Sequence, residues 1–152
     1  MTDPLTFPSA TPRHDLPFLY PGQSQKEATV NAAHALLDML LHPAIEGEVD
    51  VPPSDPGEGQ CWLVGGEPSG IFAGHPHGLA GFVGGTWVFA APVEGMRLYH
   101  RAARHFLVYS DGWRQVAAPD LPGGGAIVDQ EARGTIATLI QALREAGIFP
   151  AE

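Results

Sequence analysis

Glycine and proline punctuate this chain so closely that few of its segments are long enough to be a helix. With 19 Gly and 15 Pro they make up more than a fifth of its 152 residues. In the second and third quarters they separate short apolar runs: CWLV (61–64), GIFAG (70–74), LAGFV (79–83), TWVFA (86–90), MRLYH (96–100) and HFLVYS (105–110). Gly supplies left-handed turns and Pro removes a ladder donor, so runs of this kind read as short strands joined by turns. The last run meets WRQV (113–116) across Asp111-Gly112, a strong hairpin signal. The expectation is a small antiparallel sheet, open or closed into a barrel. About sixty residues bury little surface alone, so flanking helices or neighbouring subunits should complete the core.

Two segments do carry a helical period. Residues 25–41 follow a capping box, Ser24 with Glu27, and place Val30, Ala33, Leu37, Leu40 and Leu41 on an apolar stripe that Pro43 ends. Residues 130–146 begin after Asp129, carry Glu131 in the first turn and Arg144 in the last, and stack Ile136, Leu139, Ile140 and Leu143. Gly147 stands where a left-handed C′ residue belongs, with Ile148 placed to pack back on Leu143. The fold class expected is α+β: an extended arm (1–21), a helix plus small β domain (22–118), a hinge (119–125) and a C-terminal helix (126–152). The arm is spaced by Pro4, Pro8, Pro12, Pro17 and Pro21, which bias it away from helix. Its Leu and aromatic residues suit docking on another surface better than a solvated tail. Residues 46–59 are acidic and Pro-rich and read as an exposed connector.

Seventeen acids against eight Lys and Arg give a net charge of −9, which argues against nucleic acid or an anionic membrane as a direct partner. The charge is unevenly spread. Residues 28–96 hold eight acids and no Lys or Arg, whereas Arg97, Arg101, Arg104 and Arg114 fall within eighteen residues opposed only by Asp111. One face should be basic, and it could meet the acidic connector of a neighbouring copy. Cys61 is the only cysteine, so an intrachain disulfide is excluded and a buried, inert thiol is expected. The N-terminus lacks a basic start with an apolar core, and no apolar run approaches the ~20 residues of a membrane span. A soluble chain without an export signal is expected.

Glu27, Asn31, His34 and Asp38 share one helix face at spacings of four, three and four. The line could hold a metal, or let Asp38 orient His34, but either needs further groups that the sequence does not name. A solvated or interface-facing polar stripe is the plainer reading. His75 and His77 stand two apart among Gly74, Pro76 and Gly78, a turn rather than a metal-binding strand. No nucleophile elbow or phosphate loop is present. No enzymatic activity, cofactor or metal is therefore expected. Trp62, Trp87, Trp113, Tyr99 and Tyr109 could stack on sugars while the arginines pair with acidic ones. Alternatively, the tryptophans anchor the core and the arginines are its wet face. The glycan candidates are Trp87, Tyr99, Arg101 and Trp113.

Thr11, Pro12, Leu16, Pro17, Gly22, Gln23, Gln25, Lys26, Glu27, Asn31, Leu37 and Asp38 form a pattern that resembles the opening of a domain-of-unknown-function family. That family occurs in tail, fibre and head-spike proteins of phages and of phage-like gene transfer agents. PPSDPGEGQCWLVGG, GIFAGH, GGTWVFAAPVEGMRLY and DGWR follow its order, and DQEARGTIATLIQALREAGIF is similar to the terminal helix of many such virion proteins. Phe72 stands where the family usually has Trp, and Ala33 where Glu is common. The resemblance implies a structural, non-enzymatic virion protein: the base or adaptor of a head spike, or a tail-fibre-associated protein, assembled in the bacterial cytoplasm and placed on the particle surface. Implied partners are further copies of itself, capsid protein, a longer spike or fibre protein, and cell-surface polysaccharide. Phe7, Phe18, Tyr20, Asn31, Asp38, Leu139 and Leu143 are the expected interface residues. Asn31 and Asp38 are expected to bond to the β domain or to a neighbouring subunit.

Overall fold

The computed structural model describes residues 10–14, 16, 18, 19, 26–123 and 129–150. Phe7, Tyr20 and the Ser24 half of the capping box lie outside them. The elements are α1 (Glu27–Leu40), β1 (Ala44–Ile45), β2 (Glu48–Val49), β3 (Cys61–Val64), β4 (Leu79–Val83), β5 (Thr86–Ala90), β6 (Arg97–His100), β7 (His105–Tyr109), β8 (Trp113–Arg114) and α2 (Gln130–Glu145).

The class is α+β, but the strands form neither one antiparallel sheet nor a barrel. Two open, mixed four-stranded sheets run in the orders β1-β6-β7-β8 and β2-β3-β4-β5. In each, the first strand pairs in parallel and the rest antiparallel. Parallel partners arise because residues 43–49 are zipped between the sheets. The amides of Tyr99 and Arg101 donate to Pro43 and Ile45, while Glu46 donates to Cys61 and Gly47 accepts from Leu63. The start of the expected connector is thus a stitch shared by both sheets, and only the remainder is loop.

The run at 70–74 is not a strand. Gly70, at φ +60, opens a 3-10 turn over Gly70–Phe72 that drops Phe72 fully into the core, edge-on to Trp87 and Phe89 with centroids 4.9 and 5.8 Å away. The two-residue hairpin is Gly84-Gly85 between β4 and β5, both with positive φ as a type I′ turn requires. The β7–β8 link instead spans Ser110 to Gly112, because Tyr109 pairs with Trp113.

β3 is buried along its whole length because both of its faces are covered. Met39, Ile45, Cys61, Leu63, Leu79 and Leu98 form one cluster, and Val64, Phe72 and Ala80 another against Trp87 and Phe89. Each Val, Leu, Ile, Met or Phe among them contributes about 1.5–3 kcal/mol by leaving water. α1 lies so close to β4 that a Cβ on Gly81 would come within 2.7 Å of Met39 Sδ.

The buried face of α1 is not the apolar stripe. Asn31, Ala35, Asp38 and Met39 are buried, while Leu37 is 50% exposed and Leu41 and Ala33 are also open. α2 starts on Asp129, whose Oδ1 accepts from Ala132 N at 2.9 Å. It ends in a Schellman motif in which Gly147 N donates to Arg144 O and Ile148 N to Leu143 O, both at 2.9 Å. Phe106 N then donates to Gly147 O at 2.7 Å, fixing this end of the helix to β7. Of the expected stripe only Ile140 is buried; Leu139 is 58% exposed, because little of the β body reaches along the helix.

Candidate functional site

α1 has no basic residue in its last turn, so its final carbonyls need outside donors. The N-terminal arm supplies them. Arg13 Nη1 donates to the carbonyls of Asp38 (2.8 Å) and Met39 (3.0 Å), and Nη2 to that of His42 (2.8 Å). The His14 Nε2 atom lies 3.1 Å from Leu41 O. A guanidinium fork placed on the negative end of a helix satisfies orphan acceptors and the macrodipole together.

The same arm segment surrounds the Asp38 carboxylate, which has no exposed surface. Thr11 Oγ1 and His14 N each donate to Oδ1 at 2.7 Å, and Arg13 N donates to Oδ2 at 3.2 Å. Thr11 Oγ1 in turn accepts from Leu16 N, while Thr11 N donates to Leu16 O, both at 3.0 Å, so the turn holds its own shape. A buried carboxylate survives when several donors replace its water, and successive amides in a turn do that well.

Two helical turns earlier, the Asn31 amide accepts from Leu19 N (2.8 Å) and donates to Leu19 O (3.1 Å), as a neighbouring strand would. Phe18 is buried against Ala35 and Val83. Thus Phe18, Asn31 and Asp38 come together where the arm of their own chain is seated on α1, with Phe18 reaching Val83 of β4. Thr11 and Arg13 complete the latch. Their role was hidden in sequence, although the helix without a terminal cation was its signal. Leu139 and Leu143 lie elsewhere, on α2.

The glycan candidates are not gathered in one place. Trp87 packs among Trp62, Phe72 and Phe82 at centroid distances of 5.4, 4.9 and 5.2 Å. Tyr99 meets Phe106 edge-on beneath Gly147. Arg101 pairs with Glu46 at 3.4 Å beside a cleft of about 370 Å³ that Arg13, His14 and Glu58 also line. Only Trp113 opens on a second cleft, of about 380 Å³, with Glu48, Leu63, His77, Tyr109 and Asp111. Its indole is fixed by a 2.8 Å bond to His77 O. His75 stacks flat on Phe89, 3.9 Å between centroids, and both loop histidines are exposed. Among the described residues, no three His, Cys, Asp or Glu side chains converge as a metal site needs. Burial pushes the Cys61 thiol up to about 12, with the Arg13 charge opposing, so it stays protonated and unreactive.

The geometry describes a small α+β body with two open sheets stitched together, closed on one side by an arm latched to its helix. The chain belongs to the DUF2793 family, proteins of unknown function, whose pattern matches residues 30–114, from within α1 through β8. The match takes in Asn31 and Asp38, while the arm and α2 lie outside it. Comparison with curated proteins returns no match.

Proposed function

We propose that this chain is a non-enzymatic structural component of a phage-like particle, the base or adaptor of a head spike on a gene transfer agent. In this role it holds a longer receptor-binding fibre to the capsid and so supports attachment to recipient cells. A tail-fibre-associated role uses the same features. The observation that carries the reading is the resemblance of residues 11–41, whose polar members Thr11, Asn31 and Asp38 seat the arm. Exposed Ile136 and Leu139 on α2, with the small β body, suit a homo-oligomer. The test is to locate the protein by labelling on purified particles, and to weigh it by sedimentation in solution. Label at a spike base and an oligomer at micromolar concentration are expected; a strict monomer missing from particles overturns the proposal.

A second reading is favoured by the Trp113 cleft. Two aromatic side chains beside the carboxylates of Glu48 and Asp111, without a lining Lys or Arg, suit a neutral sugar rather than the acidic polysaccharide that Arg101 suggests. Glycan binding lost on Trp113→Ala, with the fold retained, supports it, and silence of the wild-type protein on neutral and acidic glycan arrays sinks it.

A further inference from the structure

Strand register sorts the side chains of the β1-β6-β7-β8 sheet into two faces. Leu98, Leu107, Tyr109 and Trp113 point toward the core and the Trp113 cleft. On the other face Arg97, Val108 and Arg114 form one cross-strand row, with Tyr99 and Phe106 paired next to them. With strands about 4.8 Å apart, the arginines stand ~10 Å from each other across Val108. The turn at Gly147 covers part of Tyr99 and Phe106, yet Phe106 remains 41% exposed. Among the described residues neither Arg97 nor Arg114 makes an ion pair, and the nearby Glu94 carboxylate turns to the Asp111 amide instead. This is an apolar strip with an unneutralised cationic rim.

The edge of the other sheet has the complementary character. β2 and the loop that follows it expose Glu48, Asp50, Val51 (62% exposed) and Asp55 in one stretch of chain, with Glu67 drawn beside Asp50 by its amide and Gly70 lying against Pro52. Glu48 lines the Trp113 cleft, on the opposite side of the β1-β6-β7-β8 sheet from the arginine row. The two patches therefore cannot meet within one chain.

We propose that they meet between chains. The Arg97–Arg114 row, with Phe106 and Val108, receives the acidic edge of a second copy around Val51, with Glu48 and Asp55 facing the guanidinium groups. Because the two patches differ, the contact is head-to-tail, and repeated it builds a ring where the rotation closes and a filament where it does not. The inference rests on the assembly reading above and names the surfaces for it. Opposite charges around apolar centres fix the register and exclude the row-to-row contact, where like charges would oppose each other.

The experiment is sedimentation velocity at about 50 µM in low salt, on the wild type, on Arg97→Glu with Arg114→Glu, and on Glu48→Lys with Asp55→Lys. All four positions are exposed, so the variants should keep the wild-type circular dichroism and melting curve. Each double variant should self-associate at least about tenfold more weakly, and an equimolar mixture should restore the larger species, since each then supplies what the other lacks. An oligomer that survives both reversals, or a mixture that does not recover, overturns this interface while leaving an oligomeric particle protein standing. A monomeric wild type overturns both.

Discussion

Asp38 and Thr11, 27 residues apart in sequence, are joined by a buried 2.7 Å hydrogen bond from hydroxyl to carboxylate. Residues 11–14 are thereby part of the fold rather than an attachment to it. Replacing Asp38 by Ala would strand one hydroxyl and two amides, at a cost of about 3 kcal/mol. Chemical denaturation should show the loss. Trypsin, which cannot seat Arg13 while its guanidinium is bonded to the end of α1, should begin to cut after it.

Arg13→Ala should cost about 1–2 kcal/mol, since three helix-end carbonyls lose their donor. Arg13→Lys should not rescue it. One ammonium cannot span three acceptors as a planar fork does. Comparing the denaturation midpoints of the two variants tests this.

Gly81→Ala should destabilise by about 1–3 kcal/mol, because its methyl would press on Met39 Sδ at 2.7 Å. Adding Met39→Ala should recover part of that loss although it is itself harmful, so a double-mutant cycle should give a favourable coupling. Additive effects would show that α1 can shift away from β4.

Cys61 makes stability fall with alkali. Its thiol is held protonated up to about 12 in the fold against an ordinary value of 9.0. Between those values the unfolded chain releases a proton that the folded one keeps, so stability declines as pH rises from about 9 toward 12. Cys61→Ala should flatten that part of the pH profile. A thiol reagent at pH 8 should label the wild type only after denaturant is added.

What the sequence made legible depended on how local the cause was. The end of α2 was readable because Asp129, Gly147 and Ile148 act within one turn of their partners. CWLV was readable as a strand because both sides of it are apolar. The buried face of α1 was not, since hydrophobic period ranks Leu37 and Leu41 above Asn31 and Asp38 and cannot count amides arriving from the arm. Parallel β1 and β2 leave no such trace, because two residues have no period and their partners lie 55 and 15 residues away. The apolar neighbours of Phe72 argue for a strand, whereas the positive φ of Gly70 decides its turn. For the site, the sequence singled out Asn31 and Asp38 but not what they hold.

The positions of the two anchors also govern how the molecule would bear tension. The arm is fastened at the end of α1, beside Pro43 where β1 begins, and α2 is fastened at Phe106 on β7. A pull between the termini therefore crosses β1, β6 and β7, whose weakest seam is the two-residue β1–β6 pairing flanked by the Tyr99 and Arg101 amides. The β2-β3-β4-β5 sheet is tied to that line from the side, by the 46–47 stitch to β3 and by Phe18 and Met39 against β4. Once the β1–β6 pairing parts, those side ties are what still holds the two sheets together.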